Sequence, residues 1–231
     1  MATAQASVNP DARERILSRV RAAVGVLSGA ARGDAVAERL RIHPISPRPQ
    51  VDGDLIACFR DKAQRLSTTI SEVALMRDVP VAVAAYLHGN NLPMRAVCWK
   101  GLRMLDWANH GVLAEERPAM PSDLVGITEV FCAIAETGTL MTLSGLHTPP
   151  ATSLLPETHI AVVRVSQIVP AMEEAWRRLR DADGVNGFMP RAVNFISGPS
   201  RTADIEQTLT FGAHGPYRVH VVLVAEDEVS I

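Results

Sequence analysis

Apolar positions at Ile16, Val20, Val24 and Leu27 recur at helical spacing among Arg13, Arg15, Arg19 and Arg21, so the chain opens on an amphipathic helix from Pro10 to about Leu27 with a basic outer face. A shorter helix is expected around Ala35 to Leu40, and Pro44, Pro47 and Pro49 then mark a linker. This organisation predicts an N-terminal helical arm and linker over residues 1–50 and a main domain over 51–231. In the main domain, Leu55 to Leu66 and Pro80 to Leu87 read as helices, with a short strand or turn at Thr68 to Val73 between them.

Beyond Pro80–Leu87 the pattern turns to alternating strands and helices. The runs Ala96 to Trp99, Gly111 to Ala114, Thr128 to Ala135, Thr139 to Leu143, Ile160 to Val165, Val193 to Ile196 and Val219 to Val224 are apolar or β-branched. Several are continuous rather than alternating, as expected of strands covered on both faces. Pro170 to Arg180 reads as a helix with Glu173 and Glu174 early and Arg177, Arg178 and Arg180 late, which suits the macrodipole and i,i+4 pairing of Glu173 with Arg177 and Glu174 with Arg178. A last helix is expected over about Ala203 to Leu209. The predicted class is α/β, an open and partly parallel sheet with an antiparallel excursion around residues 128 to 165.

Composition narrows the function. With 23 Lys+Arg against 25 Asp+Glu, the net charge of -2 provides no bulk basic field for nucleic acid. Only Lys62 and Lys100 are lysines, and neither lies in a Gly-rich phosphate-binding motif, so a Walker-type NTPase is excluded. Cys58, Cys98 and Cys132 are scattered, with no C-x-x-C pair, and read as reduced core thiols rather than metal or iron–sulfur ligands. The histidines show no metal-ligand spacing. No apolar stretch approaches the ~20 residues of a membrane span, so a soluble cytoplasmic chain is expected.

Three segments carry candidate chemistry. In Ser197-Gly198-Pro199-Ser200-Arg201-Thr202-Ala203-Asp204, a strand leads through a Gly-Pro turn into the expected helix, which would place Gly198, Ser200, Arg201, Thr202 and Asp204 at the carboxyl end of the sheet. Free helix N–H groups and a bidentate arginine fork suit a carboxylate or phosphate there; helix capping by Ser200 or Thr202 explains the same residues. Glu136, followed by Thr137, Gly138 and Thr139, lies between two strands, as a general base, nucleophile or ligand acceptor, or as an exposed hairpin glutamate. His214, flanked by Gly212 and Gly215, is accessible in a turn that also reads as a helix C-cap. The long Ser144 to Glu157 connection, holding His147, Thr152 and Ser153, reads as a binding loop or an inert Ω-loop. No lysine falls within these loops, so anion recognition is expected to rest on arginine, a helix start or neutral donors.

Asp106-Trp107-Ala108, Ala135-Glu136-Thr137-Gly138-Thr139, Ser153-Leu154-Leu155-Pro156 with His159-Ile160, and above all Ser197 through Glu206 followed by Gly212-Ala213-His214-Gly215-Pro216, resemble the lactate-utilisation protein C (LutC/YkgG) family, the LUD domain. The resemblance covers about Leu55 to Val224. It implies an open mixed sheet of the NagB/RpiA/CoA-transferase-like type. It also implies a place in a bacterial system oxidising L-lactate to pyruvate with two iron–sulfur partner proteins. This chain would be the component without a cluster, with Glu136 and His214 flanking the recognised centre and Thr137, Gly138, Thr139, Ser153, Gly198, Ser200, Arg201, Thr202, Asp204 and Gly215 binding the ligand. No G-x-G-x-x-G fingerprint supports a dehydrogenase in this chain alone. The second class of function is an acyl-CoA- or sugar-phosphate-handling enzyme using Glu136, which rests on fold analogy.

Overall fold

The continuous apolar runs form a parallel sheet that is covered on both faces. The structure is a computed structural model and describes residues 10–24, 29–42, 51, 53–182, 189–203, 209–212 and 214–225. The chain divides into two units, Met1–Arg48 and Pro49–Ile231. The first holds α1 (Pro10–Val24) and α2 (Gly29–Ile42), the second of these longer than the periodicity predicts.

In the second unit, strands β1 (Thr69–Val73), β2 (Arg95–Cys98), β3 (Leu113–Glu116), β4 (Val125–Glu129), β7 (Thr158–Arg164) and β12 (Arg218–Val224) form a sheet in the order β1-β12-β7-β4-β2-β3. Every neighbouring pair in it is parallel. A second sheet, β8-β5-β6-β9, consists of β8 (Ile168–Val169), β5 (Cys132–Ile134), β6 (Thr139–Leu143) and β9 (Val193–Ile196). There β6 runs antiparallel to both β5 and β9. The apolar run expected to be one strand over Thr128 to Ala135 is therefore two, β4 in the large sheet and β5 in the small one. An uninterrupted apolar run does not reveal where its covering partners change.

Successive residues of β7 face opposite ways, as the pleat requires. Ile160 and Val162 pack with Val79, Val83 and Leu87 of α4 (Val79–Gly89). Ala161 and Val163 pack with Phe59 and Ala63 of α3 (Leu55–Arg65) and with Ala133, Ala135 and Leu140 of the small sheet. Ala175 and Leu179 of α6 (Met172–Ala182) cover the other face of that sheet against Ile134 and Met141. On α6 an ion pair joins Glu174 to Arg177 at i,i+3, and Arg178 donates to the Ser166 carbonyl at 3.0 Å.

Two histidines sit inside. His159 shares a 2.8 Å hydrogen bond with Thr128, and His220 lies between Thr69 and Ser71, at 2.8 and 3.0 Å, stacked on Tyr86. Burial pushes both imidazoles down to about 4.

The helix expected over Ala203 to Leu209 is not what its two ends adopt. Arg201–Ala203 (β10) pairs antiparallel with Leu209–Phe211 (β11), Ala203 opposite Leu209; residues 204–208, Asp204 among them, lie outside the described residues. Asp204 and Glu206 imitate a helix start in the sequence, but Thr202, Thr210 and Phe211 have the β preference that the ladder uses. Gly212 thus follows a strand and is no helix C-cap.

Candidate functional site

Three loops meet at the C-terminal end of α3. Asp54 starts this helix by accepting from the N–H groups of Ile56 and Ala57 at 2.9 and 3.2 Å. The helix closes through Ser67, whose φ of 65° is left-handed, so that the Thr68 N–H returns to the Ala63 carbonyl at 3.0 Å. The β5–β6 turn comes first: Cys58 donates its thiol proton to the Ala135 carbonyl at 3.4 Å, and Gly138, at φ 65°, lies against the backbone of Lys62 and Ala63. A Cβ on Gly138 would stand 2.8 Å from the Ala63 Cα, so this approach requires glycine.

The second loop follows β9. Gly198, at φ 78°, sits against the Leu66 carbonyl, and the hydroxyls of Ser197 and Thr139 are 2.7 Å apart. Arg201 donates from Nη2 to the Leu66 carbonyl at 3.2 Å and to the Ser67 hydroxyl. The third loop is held by Ser200. The Ser200 N–H donates to the Pro216 carbonyl at 2.8 Å, the Gly212 N–H to the Ser200 carbonyl at 3.0 Å, and the His214 N–H to the Ser200 hydroxyl at 3.4 Å. A Cβ on Gly215 would be 3.4 Å from that of Ser200, an ordinary contact.

The structure thus sets Gly138, Gly198 and Arg201 against the C-terminal turn of α3, with Thr139 tied to Ser197 and His214 and Gly215 beside Ser200. Thr137 is exposed at the tip of its turn, and Thr202 enters through the backbone of β10. Two predicted members turn elsewhere. Glu136 accepts from the Met172 N–H at 2.9 Å at the start of α6, where a carboxylate complements the helix dipole. Ser153 is fully buried in α5 (Ala151–Leu154) and donates to the Pro150 carbonyl at 3.0 Å.

The location matches the expected one only in part, since the Gly198 to Arg201 loop follows the carboxyl end of β9, which lies in the small sheet. Leu66 and Ser67 precede β1, and Pro216 precedes β12, so the cluster lies at the amino ends of those strands. No helix starts at Ser200–Thr202, and the donors there are the arginine fork and the Ser200 hydroxyl. The partners Leu66 and Ser67 went unnoticed in the sequence, because an ordinary helix end carries no chemical signature.

The carboxyl ends of the large sheet hold a second constellation. Lys100 follows β2, Glu116 ends β3, and the Lys100 ammonium lies 3.4 Å from His147 Nε2. The thiols do not gather: Cys98 and Cys132 belong to different apolar clusters, each pushed up to about 11, chiefly by burial, and Cys58 is half-buried on α3. Among the described residues no group of three or more His, Cys, Asp or Glu side chains could hold a metal ion, and no helix is long and apolar enough to cross a membrane.

A family model described as the LUD domain matches residues 63–224. A "Lactate utilization protein C" of Exiguobacterium sp. is 34% identical over 179 residues, 74% of this chain and 78% of that one. A protein of the same name from Bacillus subtilis is 37% identical over 138 residues, 55% of this chain and 57% of its own. The crystal structure of a DUF162 family protein from Deinococcus radiodurans superimposes with a TM-score of 0.55 at 24% identity, covering 77% of this chain and 100% of that one, a likeness of fold.

Proposed function

Because the chain belongs to the LUD-domain family of lactate-utilisation C proteins, we propose that it serves in lactate utilisation as a cytoplasmic component without a cluster of its own, alongside iron–sulfur proteins that oxidise L-lactate to pyruvate. Its own contribution is an anion-binding cleft at the end of α3, on a sheet of the NagB/RpiA/CoA-transferase-like type. The observation that carries this reading is the anchoring of Arg201. A guanidinium has five N–H donors in one plane, and the Nη2 bonds to Leu66 and Ser67 orient that plane before a ligand arrives. Ser200 and the His214 loop are tied together beside it, so a carboxylate or phosphate would meet a prepared set of donors.

The scattered thiols support the absence of a cluster in this chain, since an iron–sulfur centre needs its cysteines together. Redox chemistry would then belong to the partners. The alternative, an acyl-CoA or phosphosugar enzyme using Glu136, is less well supported, because that carboxylate is committed to the start of α6. Turnover of such a substrate by the isolated chain, lost in Glu136→Gln, would reverse the ranking.

The decisive experiment is capture of partners from lactate-grown cells, with visible absorption read on the eluate. A colourless chain that retains coloured iron–sulfur proteins is expected. Arg201→Ala should weaken inorganic phosphate or L-lactate binding at the α3 cleft about tenfold, the scale of one charge-assisted contact. If Arg201→Ala and His214→Ala both left binding and growth on lactate intact, the cleft would be abandoned.

A further inference from the structure

Residues 1–48 form a unit of their own, and its charge is opposite in sign to that of the remaining chain. Of the 23 basic and 25 acidic residues, this unit holds eight arginines and four acids, whereas residues 49–231 hold fifteen basic and twenty-one acidic residues. Half of those eight arginines, Arg13, Arg15, Arg19 and Arg21, lie on α1 beside apolar side chains that stand open to solvent. Ile16 is 62% and Val20 52% exposed.

We propose that α1 is a membrane-surface anchor that lays this apolar face on an anionic phospholipid bilayer. The anchor is independent of the α3 cleft. A helix turns by roughly 100° per residue, which sets Ala12, Ile16, Leu17, Val20 and Ala23 within one sector of about 140°. Arg19 borders that sector on one side, with Arg15 beyond it, and Arg21 borders it on the other. Arg13 falls inside it, where its stem can lie along the apolar face while the guanidinium reaches outward. Glu14 and Ser18 lie toward the far side, and Glu14 is paired with Arg21 at 2.9 Å, so that acid is neutralised within the helix.

A shallow apolar stripe with arginine on both borders fits a plane better than a pocket. Protein grooves are filled by large anchors, aromatic ones above all, whereas the exposed apolar pair of α1 is Ile16 and Val20, two β-branched side chains one turn apart, and the helix has no aromatic residue. A bilayer requires only that apolar side chains reach the acyl boundary while cations on both sides meet phosphates, which guanidinium groups bind as a fork. Charge also sets the orientation. A negatively charged surface attracts residues 1–48 and repels the acidic second unit. On α2, Val36 and Leu40 form a further exposed pair one turn apart, beside Arg39. Helices this short and this polar attach reversibly, so the contact is sensitive to salt.

Co-sedimentation of the full chain with lipid vesicles tests the proposal. Vesicles of equal parts phosphatidylglycerol and phosphatidylcholine should bind it at about 0.05 M salt and release most of it at about 0.5 M, and pure phosphatidylcholine should bind it at least about tenfold less. Ile16→Ala combined with Val20→Ala raises helix propensity while removing apolar surface, and should weaken binding about tenfold or more. Arg15→Gln combined with Arg19→Gln keeps the apolar face and should weaken binding by a similar factor. Unchanged helical circular dichroism in both variants shows that α1 persists. No binding to the anionic vesicles, equal binding to neutral ones, or binding undiminished in a chain starting at Pro49 would overturn the proposal. A dimer in sedimentation velocity that dissociates in the Ile16→Ala, Val20→Ala variant would assign this face to a second copy of the chain, and would overturn it too.

Discussion

Gly138 and Gly198 define what single residues do here. Each combines a left-handed backbone with contact against the end of α3, so each joins a loop of the small sheet to the helix that precedes β1. Replacing either by alanine imposes an unfavourable φ worth roughly 1–2 kcal/mol and a collision with main chain that cannot move aside cheaply. Gly138→Ala and Gly198→Ala should each cost at least about 2 kcal/mol in urea unfolding, whereas Gly89→Ala, in open space, should be near neutral or stabilising. Equal effects at all three positions would contradict the packing. Their glycine-threonine and glycine-proline contexts were legible as turns. That both turns press on one helix end was not, because the contact spans residues far apart in the chain.

At the scale of elements, burial of two histidines between adjoining strands makes stability depend on pH. The folded imidazoles of His159 and His220 resist protonation down to about 4, whereas an unfolded histidine takes up its proton near 6.5. Between these values the unfolded chain binds more protons, so this stabilisation is complete above about 6.5 and is lost as the pH falls toward 4. Urea unfolding at pH 5 should reveal a loss of up to about 2 kcal/mol per histidine relative to pH 7.5. In His220→Gln the pH dependence should shrink, whatever the variant's absolute stability; an undiminished slope would count against this origin. Elements also explain where the sequence misled. Periodicity located α3, α4 and α6 and most strands within a few residues, since each buries one face or both. It failed over Ala203–Leu209, where short local helix signals compete with a β ladder that becomes visible only when Ala203 meets Leu209.

For the whole molecule, the second unit carries its own apolar clusters on both faces of the parallel sheet. A chain starting at Pro49 should therefore unfold in a single cooperative transition within a few degrees of the full chain. A broad, non-cooperative melt would show that residues 1–48 complete this core. The same unit contains the proposed Arg201 cleft, at the amino ends of β1 and β12. Acid binding should thus survive the truncation.

By itself the sequence determined the α/β class, the run of elements, the family signature from Ser197 to Pro216 and the scarcity of lysine, because these depend on local pattern and residue type. Only the tertiary structure decided which residues meet. It placed the Arg201 cluster at the amino ends of β1 and β12, drew Glu136 aside to α6, and set both lysines against loops that contain none: Lys62 through its backbone at Gly138, Lys100 through its ammonium at His147. The physical reason is that a contact's partners are chosen by sheet order and crossover, and a sequence of separate strands does not state the order in which they will lie side by side.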